Sequence, residues 1–399
     1  MEHMTHAHQP NPLAEQLLDP ELYAGDPFSV YRHLRETAPV AWCESAGFWA
    51  LTNHHDVSKV GTDPGTFCSS KGILVQEIGT EYDSPPTMMH TDPPAHTRYR
   101  RLVQPSFKPT SVKVLEPAIR AMATSLVASL PIGEPVDIVA NLSVPYPLQV
   151  ICELLGTDSA RWLTFFEWSE AAIPGAGEMT DEQRGQYQLD MWEYLIGLAT
   201  DRRAKPLDDV VSQLAEAQID GDLLSEAELA MFLIQLLVAG NETTRNMISS
   251  GLIALAQHPE QWEYLQANRD AIPTAVEELL RWSTPVISFM RTATVDTELS
   301  GVAIAAGEPV LMVYAAANRD PEVFGGDAES FDVTRDPNPH VSFGFGTHFC
   351  LGAPLARLEA RVLLEELLDV APTLKISGPA VRSPSPIIAG VTQAVLTLS

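Results

Sequence analysis

Basic residues are scarce in this chain. Lys and Arg number 25 against 52 Asp and Glu in 399 residues, a formal net charge of −27. Nucleic-acid binding needs a cationic footprint on phosphates, so no nucleic-acid partner is expected. The same charge disfavours adhesion to anionic membranes. Cysteine is scarce as well. Cys43, Cys68, Cys152 and Cys350 are scattered and never spaced as CxxC, which argues against a thiolate zinc site and against a disulfide framework. The stretch Met1–Pro12 lacks the apolar run of a signal peptide or membrane anchor, so a soluble cytoplasmic monomer is expected. No repeat period is visible, and the 31 prolines are dispersed rather than gathered in a linker.

These absences leave a polar N-terminal tail over residues 1–25, partly disordered, and one domain over 26–399. His3, His6 and His8 read as ordinary tail residues rather than a metal site. Hydrophobic residues make up 45% of the chain, enough at this length to bury a large core around a bulky ligand. Three small basic groups survive: Arg98, Arg100 and Arg101; Arg202, Arg203 and Lys205; Arg357 and Arg361. Such groups are mostly solvated faces, and one could dock an acidic partner.

The pattern is mainly helical. Ser225 with Glu228 fits a capping box, the apolar positions run from Met231 through Leu255, and Pro259 marks the end. That gives a helix of about 33 residues, on the order of 50 Å long. It is apolar on nearly all sides between Phe232 and Gly240, apart from Gln235, as a helix through the core must be. Further helices are predicted over 27–36, 111–130, 148–155, 160–172, 181–201, 273–282 and 354–368. Short strands over 40–42, 48–51, 290–294 and 308–312 form a small β-rich region beside the helical body.

Four segments carry chemistry. In Phe343-Gly-Phe-Gly-Thr-His-Phe-Cys350-Leu-Gly352, Gly344 and Gly346 permit positive φ or close approach of a flat ligand. Phe343, Phe345 and Phe349 can surround a sulfur, and the helix that follows places Cys350 near an N-terminus that favours thiolate. Cys350 alone reads equally well as an inert buried cysteine. Glu278 and Arg281 share a helical face at i,i+3, a spacing common in surface ion pairs. Ala239-Gly240-Asn241-Glu242-Thr243-Thr244 interrupts the long apolar helix with polar groups. Either the helix surfaces there, or it opens locally beside a metal, with threonine hydroxyls bonding backwards to carbonyls. His96 and Arg100, at i,i+4 after Pro93-Pro94, present two cations on one face.

Phe343 to Gly352 resembles the haem-binding loop Phe-x-x-Gly-x-x-x-Cys-x-Gly of the cytochrome P-450 family, matching at Phe343, Gly346, Cys350 and Gly352. The resemblance runs from about Asp26 to the C-terminus and is best to soluble bacterial members. It implies the cytochrome P-450 fold, haem b as cofactor and Cys350 as the iron ligand, with Phe343, Gly344, His348 and Gly352 around it. It implies that Glu278 and Arg281 form a buried structural network completed near Asn318–Pro321 and Phe331–Asp332, its third partner open. Ala239 and Gly240 would line an oxygen-binding groove, with Glu242 and Thr243 as its acid–alcohol pair. His96, Arg100, Arg291 and His348 would hold the haem propionates. The implied reaction is monooxygenation of a largely apolar molecule, terpenoid, steroid or fatty-acid-like. The expected contacts are Ile73, Val75, Met88, Met89, Leu236, Val286, Ile287, Phe289 and Ile388. No flavin or nicotinamide fingerprint is present, so electrons are expected from a ferredoxin and its reductase, with Arg357 and Arg361 as docking candidates. A peroxide-driven oxygenating enzyme, a gas-sensing haem protein and a haem-free helical binding protein are the alternatives.

Overall fold

The computed structural model describes residues 8–82, 87–173, 179–219 and 221–399. His3 and His6 lie outside these residues. In chain order the elements used below are α1 (Phe28–Thr37), β1 (Val40–Cys43), β2 (Phe48–Leu51), α2 (His54–Thr62), β3 (Phe67–Cys68), α3 (Ala95–Val103), α4 (Glu116–Ala128), β4 (Pro135–Asp137), α5 (Pro145–Leu154), α6 (Trp162–Ala172), α7 (Asp181–Ala204), α8 (Glu226–Gln257), α9 (Ile272–Ser283), β5 (Ser288–Ala293), β6 (Pro309–Val313), α10 (Ala353–Val370), β7 (Leu374–Arg382) and β8 (Val391–Leu398).

The central helix α8 is 32 residues long and begins where the sequence signals place it. The Ser225 hydroxyl accepts from the Glu228 amide at 3.2 Å, and the Glu228 carboxylate accepts from the Ser225 amide at 2.9 Å. It stops at His258, one residue before Pro259 opens the next helix. Leu229, Phe232, Leu233, Leu237, Met247, Ile248, Leu252 and Leu255 are buried along it, because α5, α7, α9 and β7 pack round it. Gly240 permits one of these contacts: a Cβ there would stand 2.4 Å from the Ile151 Cδ1 of α5.

Beside this helical body lies a mixed sheet in the order β1-β2-β6-β5-β3. Strands β2 and β6 run parallel, and the other neighbours antiparallel. A second sheet, β7-β8-β4, closes the C-terminus; the sequence reading did not anticipate it. Only β8 shows alternating burial, while β7 is exposed along most of its length.

Two other expectations change. The helix predicted over 111–130 is instead a turn at Pro109–Val112, a 3-10 turn at Lys113–Leu115 and then α4. Pro117 has no N–H to give an i−4 carbonyl, so it sits in a first turn and a new helix starts there. The tail expected over residues 1–25 is ordered well before residue 25. Asn11 caps a turn at Pro12–Glu15 and Asp19 caps another at Pro20–Ala24. Ala14, Leu17 and Tyr23 are buried in one cluster with residues of α1 and β1. The ring of His8 stacks on Trp42, centroids 4.0 Å apart. Leucines at helical spacing drive this docking, and the prolines that start each turn hide the pattern.

Candidate active site

The segment before α10 builds a thiol site. Gly344 and Gly346 both have positive φ, 66° and 57°. At Gly346 the reason is steric as well, since a Cβ would lie 2.7 Å from the Gly61 carbonyl oxygen of α2. The loop closes when the Cys350 amide donates to the Phe343 carbonyl at 2.8 Å. Cys350 then sits just before α10, with Gly352 as that helix's N-cap. Burial pushes the thiol pKa up, while the Gly352 and Ala353 amides and the nearby Arg100 and Arg357 pull it down. The expected ring of phenylalanines is only partly formed. Phe343 stacks with Arg357, Phe345 packs on Gly61 and His54 of α2, and Phe349 is 41% exposed.

The four expected cations converge beside this loop. Arg100 on α3 donates to the carbonyls of Thr347 and Phe349 at 3.1 and 2.7 Å. The rings of His96 and His348 lie 4.1 Å apart. Arg291 on β5 is 7% exposed and donates to its neighbour's carbonyl, that of Met290. No carboxylate forms an ion pair with any of the four among the described residues. Desolvation and the other cations push His96 down to about 4 and His348 down to about 2, and the Nδ1 of His96 is buried without a partner. A thiol with donor amides, two arginines without a carboxylate ion pair and two neutral imidazoles that can donate hydrogen bonds form the donor set that an iron porphyrin with two carboxylates needs. The residues therefore fit a haem.

The polar segment of α8 is not a backbone break. The helix runs through it without interruption. Thr243 bonds back to the Ala239 carbonyl at 2.8 Å. Gly240 faces Ile151 rather than open space. Glu242 pairs with Arg245 at 3.0 Å, and Arg245 pairs in turn with Glu170 of α6 at 3.1 Å. Burial raises the Glu242 pKa, Arg245 opposes the rise, and Glu170 adds to it. Thr244 is buried, as is Asn241, which donates to Ser169 at 2.8 Å. The sequence reading missed Arg245, although its i+3 spacing from Glu242 was visible.

Glu278 and Arg281 form the buried pair as expected. Arg281 grips Glu278 with two bonds of 2.7 Å and also donates to the carbonyls of Asn318, Ala328 and Ser330. Glu278 accepts from the Asp332 amide and from Asn338. The partner left open is Arg335, 3.4 Å from Glu278.

The expected substrate contacts fall into separate apolar clusters. Ile287 is buried in one, with Val75 against it; Val286 and Phe289 pack on another; Met88 lies in the largest, with Leu236 against it. Ile73 is buried and ties to β5 through its carbonyl, which accepts from the Met290 amide at 2.7 Å. Met88 ties to α8 through Gln235, and Met89 is half-buried beside it. Ile287 and Ile388 line a cavity that none of the thiol, the four cations or the acid–alcohol pair reaches. Arg357 and Arg361 are already engaged. Arg357 grips Glu277 at 2.6 and 2.7 Å, and Arg361 pairs with Glu116 and Glu365.

Comparison with known proteins decides the class. The family model for cytochrome P450 matches residues 198–370. A methyl-branched lipid omega-hydroxylase of Mycobacterium tuberculosis is 40% identical over 92% of this chain and 90% of its own length. The chain belongs to the cytochrome P450 family. A steroid C26-monooxygenase of Mycolicibacterium smegmatis is 36% identical to this P450, over 92% of the chain and 89% of that protein. A Mycobacterium marinum cytochrome P450 solved in complex with pseudoionone superposes with a TM-score of 0.90. It is 34% identical, covering 98% of this chain and all of that one. The P450 fold and the haem-thiolate monooxygenase class follow from these relatives. No helix among the described residues is long and apolar enough to cross a membrane.

Proposed function

We propose that this P450 inserts one oxygen atom from dioxygen into a C–H bond of an apolar small molecule, with haem b held through Cys350. The observation that carries the reading is the group of His96, Arg100, Arg291 and His348, none ion-paired to a carboxylate among the described residues, beside a thiol at a helix start. When bound, the haem supplies the oxidation chemistry, and a thiolate ligand favours cleavage of the O–O bond. The residues of the chain do the rest. The amides of Gly352 and Ala353 hold the negative charge left on the sulfur, with Phe343 and Gly344 framing the loop. Arg100 and Arg291 would pair with the propionates, and His96 and His348 would donate hydrogen bonds to them. Thr243 carries the proton-donating hydroxyl next to Ala239 and Gly240. Glu242, held toward its neutral form by burial, passes protons toward it.

A terpenoid, steroid or fatty-acid-like substrate fits the names of the relatives and the apolar character of Ile73, Val75, Met88, Met89, Leu236, Val286 and Phe289. Electrons come from a ferredoxin and its reductase in the cytoplasm, a reading supported by the missing flavin and nicotinamide fingerprints in this chain. A peroxide-driven reaction would not need the Glu242–Thr243 pair.

The decisive experiment is a reduced CO-difference spectrum with and without Cys350→Ala. A thiolate-type band should vanish in the variant; an unchanged band removes Cys350 as ligand. The proton role is tested separately. Thr243→Ala should keep the haem and divert electrons to peroxide, and fully coupled product formation in that variant would sink the role.

A further inference from the structure

A cavity of about 200 Å³ opens between Tyr23, α1, the C-terminal end of α8 and the end of β7. Its most buried charge is Arg319, 7% exposed. The guanidinium lies between the rings of Phe28 and Trp282, 3.4 and 3.9 Å from their centroids. Stacking of this kind covers the faces and leaves the edges for hydrogen bonds. Among the described residues the one hydrogen bond of that edge is Nη1 to Glu329, at 3.4 Å. Its Nε is buried with no partner. Glu329 is shared already, with Arg32 at 3.3 Å and Arg35 at 3.1 Å.

A second cation, Arg382, lines the cavity from an exposed position near the mouth. It is close enough to Arg319 for the two charges to oppose each other, and its acidic neighbour is Asp26. Tyr31 is fully buried and lines the same space, and its hydroxyl has no hydrogen bond of standard geometry. The nearby Tyr23 hydroxyl is committed to the Leu17 carbonyl at 2.8 Å. Much of the remaining wall is apolar, including Ile253, Ile287 and Ile388.

In a chain of net charge −27, two arginines here share a wall of rings and aliphatic side chains with the polar groups of Ser250, Gln257, Ser283, Ser383 and Ser385. Water can satisfy an unpaired N–H, but Glu329 is divided among Arg32, Arg35 and Arg319, so one carboxylate answers three guanidinium charges, and a buried charge that is only partly answered is costly. We propose that this cavity is a second binding site, separate from the haem, for a small carboxylate with an aromatic or aliphatic body. The carboxylate takes the free edge of Arg319 and the charge of Arg382, and the body lies against Tyr31, Ile253 and Ile287.

The test uses haem-loaded protein, benzoate as the probe, and calorimetry read beside the Soret absorption. Benzoate should bind one saturable site without moving the Soret band, and should still bind when imidazole occupies the iron. Arg382→Gln changes an exposed residue at the mouth and should weaken binding about tenfold, the scale of one charge-assisted hydrogen bond. Ala380→Trp, also at an exposed position lining the mouth, should block entry and abolish binding. Absence of saturable binding, loss of binding on adding imidazole, or full binding in both variants overturns the proposal. Inorganic phosphate binding as tightly as benzoate overturns it too, because the apolar walls would then contribute nothing.

Discussion

Two groups of charge, one around Glu278 and one around His348, differ in how they are balanced. Around Glu278 every charge is answered: Arg281 and Arg335 face the carboxylate, and backbone carbonyls take the remaining N–H groups of Arg281. Around His348 two arginines, Arg100 and Arg291, stand beside two imidazoles held neutral, and Asp92, near enough to act on His96 and Arg291, spends its oxygens on the amides of Ser69 and Ser70. The first arrangement is complete without a ligand. The second is complete only when something negative enters. Charge balance thus separates a structural network from a binding site where burial alone does not, since both are shielded from water.

The contrast can be broken by mutation, and the largest effect belongs to the balanced group. Arg281→Met leaves Glu278 buried against a single remaining cation and frees three carbonyls, and should cost about 3–5 kcal/mol. Urea unfolding of the haem-free and haem-loaded protein checks this, and stability like that of the parent in both would dissolve the distinction. Arg291→Gln should act the opposite way. Removing a buried charge that has no ion-pair partner among the described residues leaves the haem-free protein at least as stable as the parent. Haem release to a scavenging apoprotein should be about tenfold faster, the loss expected for a hydrogen bond to a charged group. A haem-free variant destabilised as much as Arg281→Met would place both groups in one class.

The smallest effect is at Glu277, whose pair with Arg357 is half-exposed. Arg357 and His340 hold this carboxyl down to about 2, against an ordinary value of 4.5, and outweigh desolvation. A carboxyl depressed in the folded state stabilises above its unfolded pKa, and that contribution is lost as pH falls toward the folded value. Glu277→Gln should therefore melt below the parent at neutral pH, with the gap narrowing as pH drops from about 4.5 toward 2. A gap that stays constant across this range would mean that the effect is packing, not charge.

What could be read from the sequence was what short spacing encodes. Ser225, Glu228 and Pro259 bound α8 because caps and helix stops act within a turn. The thiol loop and the Glu278–Arg281 pair are likewise local patterns. Arg335 and Glu170 were missed because they reach their partners from distant segments, with no periodic signal to carry them. The sheet of β7, β8 and β4 depends on long-range pairing, and the irregular register of β7 and β8 leaves little alternation to read. Ile287 and Ile388 were expected to touch substrate on the family resemblance alone; that they line the cavity beside Arg319 depends on tertiary packing, which no local spacing encodes.

The contact of Gly346 with the Gly61 carbonyl has a consequence for biosynthesis. These positions lie near opposite ends of the chain, so the loop that presents Cys350 cannot be braced against α2 until almost all of the protein has left the ribosome. Contacts of such long sequence separation close late in folding. Cofactor capture is then the last act of maturation rather than a nucleus for it. A chain lacking everything through α2 would still carry the thiol, Gly344, Gly346 and α10, but without the brace from Gly61.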